Sequence, residues 1–574
     1  MLGKVACMVT GKVPTDLLGI LIVAVALITT LLPTDAALSC FSSSSVILVG
    51  VLSVLAAGLI HSGVLDWMVR NMFGNPKTYE KALIRLMLPA TIMSAFISNL
   101  AVVQLLISTV KTWGKRLNIP PSKLLIPLSF ASTLGGVCTL IGNAPNLVIS
   151  EFYTDQTGHT LSIFTPLVPG LCCTVAGFAV IMVLSRRLIP ERRSPEESFG
   201  SSAEYTVELL VPTECQYVGD TIEDAGLYSV NGGHLIEIVR FDREVISPVP
   251  RDEFIIGGDR LVYSGQISSI LNLRETHGLV SATHHVFNIS EMDRNRKLQM
   301  ASVDINSPLV ARRMVDTNFE DSNNVVLVAI AREGERLTGI PREEIIYPGD
   351  TLLLEGSKLA PQHFTDNLHF FDSVDLPKEG KRTLLSSLIM LGMIILSITH
   401  VMPLLNSCFL AAIIMGITHC ISPEQIQRSI NWKMLMVFAG SVCLGKAIEV
   451  SGIAEMTAST LLSISGTSPL IALIVIAFTA TFVTEFISNA TAAAIFAPVA
   501  LDTAQSLGVN SMPFVISLML AISCSFATPI GSETNTLIYG PGGYKFGDYL
   551  RIGICMNIIL LIVNIIVVTA IYPF

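Results

Sequence analysis

The feature that most constrains this chain is a set of apolar stretches that approach or reach the about 20 residues needed to span a bilayer. The clearest begin at Leu17, Thr383 and Ile554, and are LLGILIVAVALITTLLP, TLLSSLIMLGMIILSI and ICMNIILLIVNIIVVTAIY. Only 14% of the residues are charged and 51% are hydrophobic, whereas soluble domains carry roughly 25% charged residues. We therefore predict a multi-pass α-helical protein of the cell membrane (plasma or inner membrane).

The apolar segments fall into two blocks, residues 15–186 and 383–573, separated by a charged insert. Within the insert, alternating runs such as HLIEIVRF, NVVLVAIAR and DTLLLEG are typical of strands in a soluble α/β module. We predict a first membrane repeat over residues 1–190 and a second over residues 380–574. Near the N-terminus, MVTGK resembles the end of an earlier helix, so the chain either starts late or has one helix fewer than its kind.

The insert contains an internal duplication. PRDEFIIGGDRLVYSG from Pro250 aligns with PREEIIYPGDTLLLEG from Pro341, with eight identities in sixteen positions at an offset of 91. Two copies of one small domain are predicted, over residues 200–285 and 290–375, each with a Gly-Asp turn before a strand. Arg186, Arg187, Arg192 and Arg193 precede the insert, and Lys378, Lys381 and Arg382 follow it. Such clusters favour the cytoplasmic side, so we predict a cytoplasmic insert.

The two membrane blocks also repeat each other. FISN begins at Phe96 and again at Phe486, and each copy is followed by T-x-I-G-x-x-x-N, as TLIGNAPN from Thr139 and TPIGSETN from Thr528. Upstream, LIHSGVLDWM near His61 resembles AIEVSGIAEM near Glu449. Two copies of one transport unit are therefore expected, and they are inverted if each has an odd number of membrane crossings.

The doubled motifs are polar and helix-breaking. Serine and asparagine must find partners in hydrocarbon, and Gly and Pro interrupt regular helices, so we predict unwound segments at residues 135–146 and 527–535. Broken helices at matching positions of two repeats indicate the substrate site of a transporter. Half-helix N-termini attract anions, while carbonyl, hydroxyl and amide oxygens suit a small cation such as sodium. Tight helix packing is the alternative role, but two copies in register favour a binding site.

These motifs resemble those of the divalent anion/sodium symporter family, which carries sulfate and dicarboxylates. The resemblance covers both membrane blocks. It implies inverted repeats, a homodimer, elevator-type transport and a re-entrant hairpin in each half, near residues 96–100 and 486–491. The family's Ser-Asn-Thr signature corresponds to Ser98-Asn99-Leu100 and Ser488-Asn489-Ala490. This chain departs from it at Leu100 and Ala490.

Two sodium sites are implied by the resemblance. The first would use Ser94, Ser98, Asn99 and the backbone at Gly142, and the second Thr484, Ser488, Asn489 and the backbone at Gly531. Substrate would lie between the tips, against Ser98, Asn99, Ser488, Asn489, Gly142 and Gly531. Independently of the resemblance, Ser94 and Thr484 each lie one helical turn before the motif serine. Asn146 and Asn535 are expected to cap or brace the unwound segments.

The insert resembles two TrkA-C domains, the C-terminal lobes of regulators of potassium channels and transporters. The resemblance implies a regulatory or dimer-supporting role, with an unknown ligand. No dinucleotide fingerprint precedes these domains in the sequence.

The sequence distinguishes several functional classes. The sequence has no Ser/His/Asp set, metal cluster or P-loop, so we predict neither an enzyme nor an organic cofactor, and the net charge of −9 disfavours nucleic acid. A potassium channel would need a TVGYG-like filter, which is absent. Sodium/proton antiport, favoured by Glu485 and Glu533, and dicarboxylate symport stay open as alternatives. Leu100 and Ala490 remove the tip hydroxyls that hold carboxylates in the family, which favours sulfate, a small inorganic anion, over succinate.

Overall fold

The computed structural model describes most of both membrane blocks and the strands of the insert. The described ranges are 15–64, 72–192, 381–399, 401–465 and 468–574 in the blocks, and 205–230, 233–240, 244–246, 249–265, 279–281, 287–288, 297–303, 307–317, 319, 325–332, 335–337, 341, 344–356 and 368–370 in the insert. The MVTGK segment lies outside them.

The chain forms two compact units. The first contains the membrane blocks, as Met1–Glu191, Ser373–Ile538 and Lys545–Phe574. The second contains the insert, Arg192–Asp372, together with Tyr539–Tyr544.

The described part of the first membrane block contains eight helices. They are α1 (Thr15–Ile28), α2 (Thr34–Ser39), α3 (Ser44–His61), α4 (Tyr79–Ser94), α5 (Asn99–Leu117), α6 (Ser122–Gly136), α7 (Ala144–Thr157) and α8 (Leu167–Leu188).

The described part of the second block contains ten. They are α9 (Lys381–Ile398), α10 (Leu404–Ile417), α11 (Pro423–Ser429), α12 (Trp432–Val450), α13 (Ile453–Ser465), α14 (Pro469–Val483), α15 (Asn489–Leu507), α16 (Met512–Ser523), α17 (Glu533–Tyr539) and α18 (Phe546–Ile571).

Three described helical stretches are long and apolar enough to cross a membrane: Thr34–His61, Leu167–Leu188 and Phe546–Ile571. A fourth results if α12 and α13, bent by 69° at their junction, count as one span. Other apolar helices are shorter: α14 has 15 residues and α16 has 12. Short helices within apolar sequence are what the helix-breaking motifs predict.

The helices after each FISN motif follow the same order. In the first block α4 and α5 flank the motif, α6 and α7 flank the T-x-I-G segment, and α8 follows. In the second block α14 to α18 take the same places. The Ser-Gly pairs upstream also correspond, since Gly63 follows α3 with φ +85° and Gly452 follows α12 with φ +72°. Glycine is favoured there because it adopts the left-handed region without strain.

The helix breaks differ in extent from the prediction of 135–146 and 527–535. Observed helix ends leave residues 137–143 and 524–532 outside helices. Gly135 and Gly136 stay in the last turn of α6, where a Cβ on Gly135 would collide with the Thr91 carbonyl of α4. Glycine at this position therefore permits close helix packing and does not end the helix. Asn146 and Asn535 both lie in the first turn of the following helix.

α18 packs closely against the second helix break at Gly553. A Cβ on Gly553 would lie 2.5 Å from the Cα of Ala527, which belongs to the second break. Glycine at this position lets α18 contact the non-helical backbone directly. Non-helical backbone at membrane depth is tolerated only when it is buried in protein or lines an aqueous cavity.

The described strands of the insert form two antiparallel sheets. The first consists of β1 (Tyr205–Leu210), β2 (Ser229–Val230), β3 (Gly233–Arg240), β4 (Glu244–Ile246), β5 (Arg260–Gly265), β6 (Val280–Ser281) and β7 (Phe287–Asn288), with the central order β2-β3-β5-β1-β6. The second consists of β8 (Lys297–Val303), β9 (Val325–Arg332), β10 (Glu335–Arg336), β11 (Thr351–Gly356) and β12 (Leu368–Phe370), in the order β10-β9-β11-β8-β12.

An ion pair recurs in the two sheets. Arg240 donates from Nε and Nη2 to Asp259, and Arg332 donates in the same way to Asp350. Asp259 and Asp350 are the aspartates of the two Gly-Asp turns, and the backbone N–H three residues earlier donates to each. The duplicated sequence thus places the same bidentate pair at the same turn. The boundaries 200–285 and 290–375 and the helical part of the α/β prediction stay predictions.

Candidate functional site

Each FISN motif forms the turn between two helices and starts the second of them. Ser98 is the N-cap of α5 and Ser488 the N-cap of α15, and the following asparagine is the first helical residue. Serine is favoured as an N-cap because its oxygen can accept from the first-turn N–H groups, and Ser488 Oγ accepts from Thr491 N. The first turns of both helices therefore present partly unpaired N–H groups at the motif.

In the first half, Asn99 links this turn to the helix break. The oxygen and the nitrogen of its side-chain amide both have hydrogen-bond partners when the nitrogen faces the carbonyl oxygens of Ser132 and Gly142, 3.2 Å from each. Ser94 Oγ contacts the same amide, and Ser132 Oγ donates to Ser94 Oγ at 3.0 Å. Ser94 is fully buried. Residues from α4, α5, α6 and the first break thus meet around one polar cluster.

The second half repeats this arrangement with different donors. Thr484 Oγ1 lies 2.7 Å from Asn489 Oδ1 and 3.1 Å from the Ile522 carbonyl oxygen, so its one hydroxyl hydrogen has two acceptors within reach. Ser525 Oγ donates to the Gly531 carbonyl at 2.9 Å and lies 3.4 Å from Asn489 Oδ1. Thr484 is fully buried, like Ser94 in the other half.

Three of the four residues predicted for each sodium site are therefore brought together. They are Ser94, Asn99 and Gly142 in the first half and Thr484, Asn489 and Gly531 in the second. Ser98 and Ser488 lie beside these clusters at the motif tips. Ser98 is exposed and forms no side-chain cap bond, while Ser488 Oγ lies 2.8 Å from Thr491 Oγ1. Leu100 and Ala490 are half-buried at the same tips.

The repeated spacing T-x-I-G-x-x-x-N has a common structural role in both breaks. The Gly142 N–H donates to Thr139 Oγ1 at 3.0 Å, and the Gly531 N–H donates to Thr528 Oγ1 at 2.9 Å. Each threonine hydroxyl in turn donates to the carbonyl of the residue before FISN, at Ala95 or Glu485. The threonine thus ties each break to the adjacent turn.

The final asparagine of the spacing braces the break from the other side. Asn146 Nδ2 donates to the Thr139 carbonyl at 2.9 Å, and Asn535 Nδ2 donates to the Thr528 carbonyl at 3.1 Å. Both side chains are buried. These contacts support the predicted bracing role, because each amide satisfies a carbonyl that no helix satisfies.

The two halves contact each other at the breaks. Ser129 Oγ lies 2.7 Å from Asn535 Oδ1 and 2.9 Å from Thr534 Oγ1, and Asn143 Nδ2 donates to Ser523 Oγ at 2.8 Å. The rings of Phe130 and Phe526 pack with centroids 4.6 Å apart. The candidate site is therefore a single region shared by both repeats.

Sequence reasoning missed Ser132, Ser525 and Asn557. The first two complete the polar clusters, and Asn557 of α18 reaches the second break through Glu485. Their only signal was a polar side chain within an apolar helix or beside a break. Glu485 is buried beside the second break, whereas Glu533 is exposed at the start of α17.

The oxygen atoms of the two clusters are suitable ligands for a small hard cation. Hydroxyl and carbonyl oxygens lie together at each break, and the amide oxygen of Asn489 joins them in the second half. Such oxygens are the preferred ligands of hard cations. Among the residues that the structure describes, no group of three or more His, Cys, Asp or Glu side chains could hold a metal ion. A cation at either break would therefore be bound mainly by neutral oxygens.

Comparison with known proteins decides the family. A model of the citrate transporter family (CitMHS) matches residues 5–518 and also residues 444–574. The chain belongs to the citrate transporter family. It is therefore a membrane protein and a transporter of small anions, which is consistent with the prediction that it is no enzyme.

Three relatives illustrate the range of this transporter's family. An uncharacterized transporter of Synechocystis sp. is 28% identical over 97% of this chain and 94% of its own length. Sodium/sulfate cotransporter 1 of Chlamydomonas reinhardtii is 27% identical over 55% of this chain and 38% of its own length. A sodium-dependent dicarboxylate transporter of Staphylococcus saprophyticus is 26% identical over 26% of this chain and 29% of its own length.

Proposed function

We propose that this transporter is a sodium-coupled symporter of a divalent oxyanion such as sulfate. The observation that carries the proposal is the pair of oxygen clusters, Ser94–Asn99–Gly142 and Thr484–Asn489–Gly531, at matching helix breaks. Each cluster joins a possible cation ligand set to a helix N-terminus that favours an anion. Binding of sodium and anion at one place supplies the physical basis for coupling.

Substrate charge must be balanced without basic side chains at the motifs. Neither FISN segment and neither T-x-I-G segment contains Lys or Arg. Co-bound sodium ions, the amides of Asn99 and Asn489 and helix N–H groups would then hold the dianion. Leu100 and Ala490 offer no hydroxyl at the tips, which favours a compact tetrahedral anion over a carboxylate.

Uptake in proteoliposomes tests the proposal. We expect labelled sulfate to accumulate under an inward sodium gradient, with choline as the matched control cation, and to be displaced more strongly by thiosulfate, selenate or molybdate than by succinate, malate or citrate. The dicarboxylate or citrate alternative is favoured by the family's name and by one relative's. It would be established if these acids competed at micromolar concentration while sulfate did nothing at millimolar concentration. Uptake driven by a pH gradient in the absence of sodium would contradict sodium coupling.

The buried hydroxyls give a second test of the cation sites. Ser94→Ala and Thr484→Ala each remove one oxygen that contacts the motif asparagine. We expect the apparent sodium affinity of uptake to fall about 3- to 10-fold, as for loss of one net hydrogen bond or ligand, with a smaller effect on maximal rate. Thr479→Ala in α14 is the matched control, because its exposed hydroxyl only contacts the Val475 carbonyl of its own helix. An unchanged sodium dependence in both test variants would remove these hydroxyls from the sites.

The Lys and Arg clusters at the ends of the insert favour a cytoplasmic insert, and its resemblance to TrkA-C domains favours a regulatory or dimer-supporting role. The resemblance to the symporter family favours a homodimer with elevator-type transport. Orientation is tested with a cysteine at Glu214, which is exposed in the first sheet's domain, in a background without other reactive cysteines. We expect an impermeant thiol reagent to label it in inside-out vesicles and not in intact cells. Labelling in intact cells would reverse the topology.

A further inference from the structure

Glu485 is the one acidic residue buried against either helix break in the described part of the chain. Its side chain is 5% exposed and directly follows Thr484, a residue of the second cluster. Ala527 N donates to Oε1 at 2.9 Å and Thr528 N donates to Oε2 at 2.8 Å. Asn557 Nδ2 of α18 donates to Oε1 at 2.6 Å. Each oxygen therefore accepts at least one N–H, which is the hydrogen-bond pattern of an ionised carboxylate.

No basic side chain among the described residues balances this charge. The groups that donate to the carboxylate are the backbone N–H groups of Ala527 and Thr528 and the side-chain amide of Asn557. A buried charge held only by dipoles is stabilised further by an opposite charge nearby. The carboxylate lies against the second break, since a Cβ on Gly531 would be 2.8 Å from Glu485 Oε2. A cation bound at Gly531 would therefore lie close to it.

The first half lacks this charge. The residue that precedes FISN there is Ala95, and its carbonyl accepts the threonine hydroxyl of the break as the Glu485 carbonyl does. The backbone arrangement of the two breaks is thus the same, and the carboxylate is an addition to the second half alone. An electrostatic difference between the two candidate cation sites follows.

We propose that Glu485 makes the two sodium sites unequal, so that the second site binds its cation more tightly and fills first. The inference rests on the proposed sodium coupling. Glu485 acts as a positioning and charge-balancing residue. Its carboxylate accepts from the backbone N–H groups of the second break and so holds that segment in place. Its charge attracts the cation, although Glu485 is not one of the proposed ligands. The expected difference in affinity between the sites is about ten-fold or more, because charges this close interact strongly in a buried environment.

Sodium-dependent thermal unfolding of the purified full-length transporter tests the inference without requiring transport. Sodium is titrated against choline at constant ionic strength, and binding to the folded state raises the midpoint temperature. For the unmodified protein we expect two phases. Glu485→Gln should weaken the tighter phase about ten-fold or more and leave the other unchanged, and Glu485→Asp should restore much of the affinity because it keeps the charge.

Asn557→Leu separates charge from anchoring, because it removes one donor to the carboxylate and leaves the charge. If Asn557→Leu reproduces the shift seen in Glu485→Gln, Glu485 only anchors the break and the inference is wrong. It is also wrong if Glu485→Gln leaves both phases unchanged. Should Glu485→Gln fail to fold, the assignment is decided by the buried hydroxyls: Thr484→Ala must shift the tighter phase and Ser94→Ala the weaker, and the reverse order overturns it.

The failure of the proposed function has a different signature. Unmodified protein that shows neither sodium-dependent stabilisation nor sodium-dependent uptake contradicts sodium coupling and this inference together. Sodium-dependent behaviour that is indifferent to Glu485 contradicts this inference alone.

Discussion

Asn99→Ala and Asn489→Ala should each reduce sodium-driven uptake at least about 100-fold while the protein stays folded in the membrane. Each amide is the hub of its cluster: Asn99 reaches Ser94, Ser132 and Gly142, and Asn489 accepts from Thr484 and Ser525. Truncation removes a candidate cation ligand and leaves buried hydroxyls or carbonyls unsatisfied. Losses of 10- to 100-fold are typical for groups that only support a metal ligand, so a ligand itself should cost more.

The matched control for both variants is Asn510→Ala. Asn510 is exposed in the loop before α16, where its Oδ1 accepts from Met512 N. Initial rates should be measured in proteoliposomes at equal protein content, with size-exclusion profiles to verify folding. If either motif variant transports at the rate of the Asn510 control, that asparagine is not part of the site.

Gly142→Ala should also abolish most uptake, through backbone displacement. A Cβ at this position would lie 2.6 Å from the Ser94 carbonyl oxygen and 2.8 Å from the Cα of Gly136. Backbone cannot move aside as the end of a flexible side chain can, so the break must shift and the Asn99 amide loses its contact with the Gly142 carbonyl. We expect destabilisation of about 1–3 kcal/mol, as for overpacked sites, and a strongly weakened sodium dependence.

Gly392→Ala is the control for this substitution. Gly392 lies in α9 and a Cβ there would meet nothing within 4 Å, so the variant should transport normally and gain slightly in helix stability. The measurement pairs thermal unfolding with the sodium concentration for half-maximal uptake. Normal sodium dependence in Gly142→Ala would show that the first break is not a cation site.

The repeated architecture could be predicted because polar, helix-breaking residues are rare inside apolar sequence. Asn99 and Asn489 precede the threonine of their T-x-I-G segments by 40 and 39 residues. The helices α4 to α8 and α14 to α18 accordingly follow the same order. Membrane transport was predictable for the same reason. The assignment of individual residues to sodium or substrate stays a prediction, and so do the TrkA-C domains.

The edges of the breaks could not be predicted from the same signals. Glycine ends a helix in one context and permits close packing in another, and only the approach of Thr91 shows that Gly135 does the second. Ser132 could not be predicted because a lone serine on an apolar helix usually bonds its own backbone. Ser525 lies in the second break, before the T-x-I-G segment, where no motif marks it. Contacts across the repeats, such as Ser129 with Asn535, join residues 406 positions apart, and no local pattern encodes them.

Those contacts across the repeats also mean that the first repeat cannot form all its hydrogen bonds until the second repeat has been synthesised. Ser129 and Asn143 enter the membrane long before Ser523 and Asn535 leave the ribosome, and the whole insert is made in between. Buried polar groups without partners are costly in lipid, so we expect the first repeat to pack less tightly around Ser129 and Asn143 until their partners are made. A chain that is truncated after α16 keeps Ser523, the partner of Asn143, but lacks Thr534 and Asn535, the partners of Ser129.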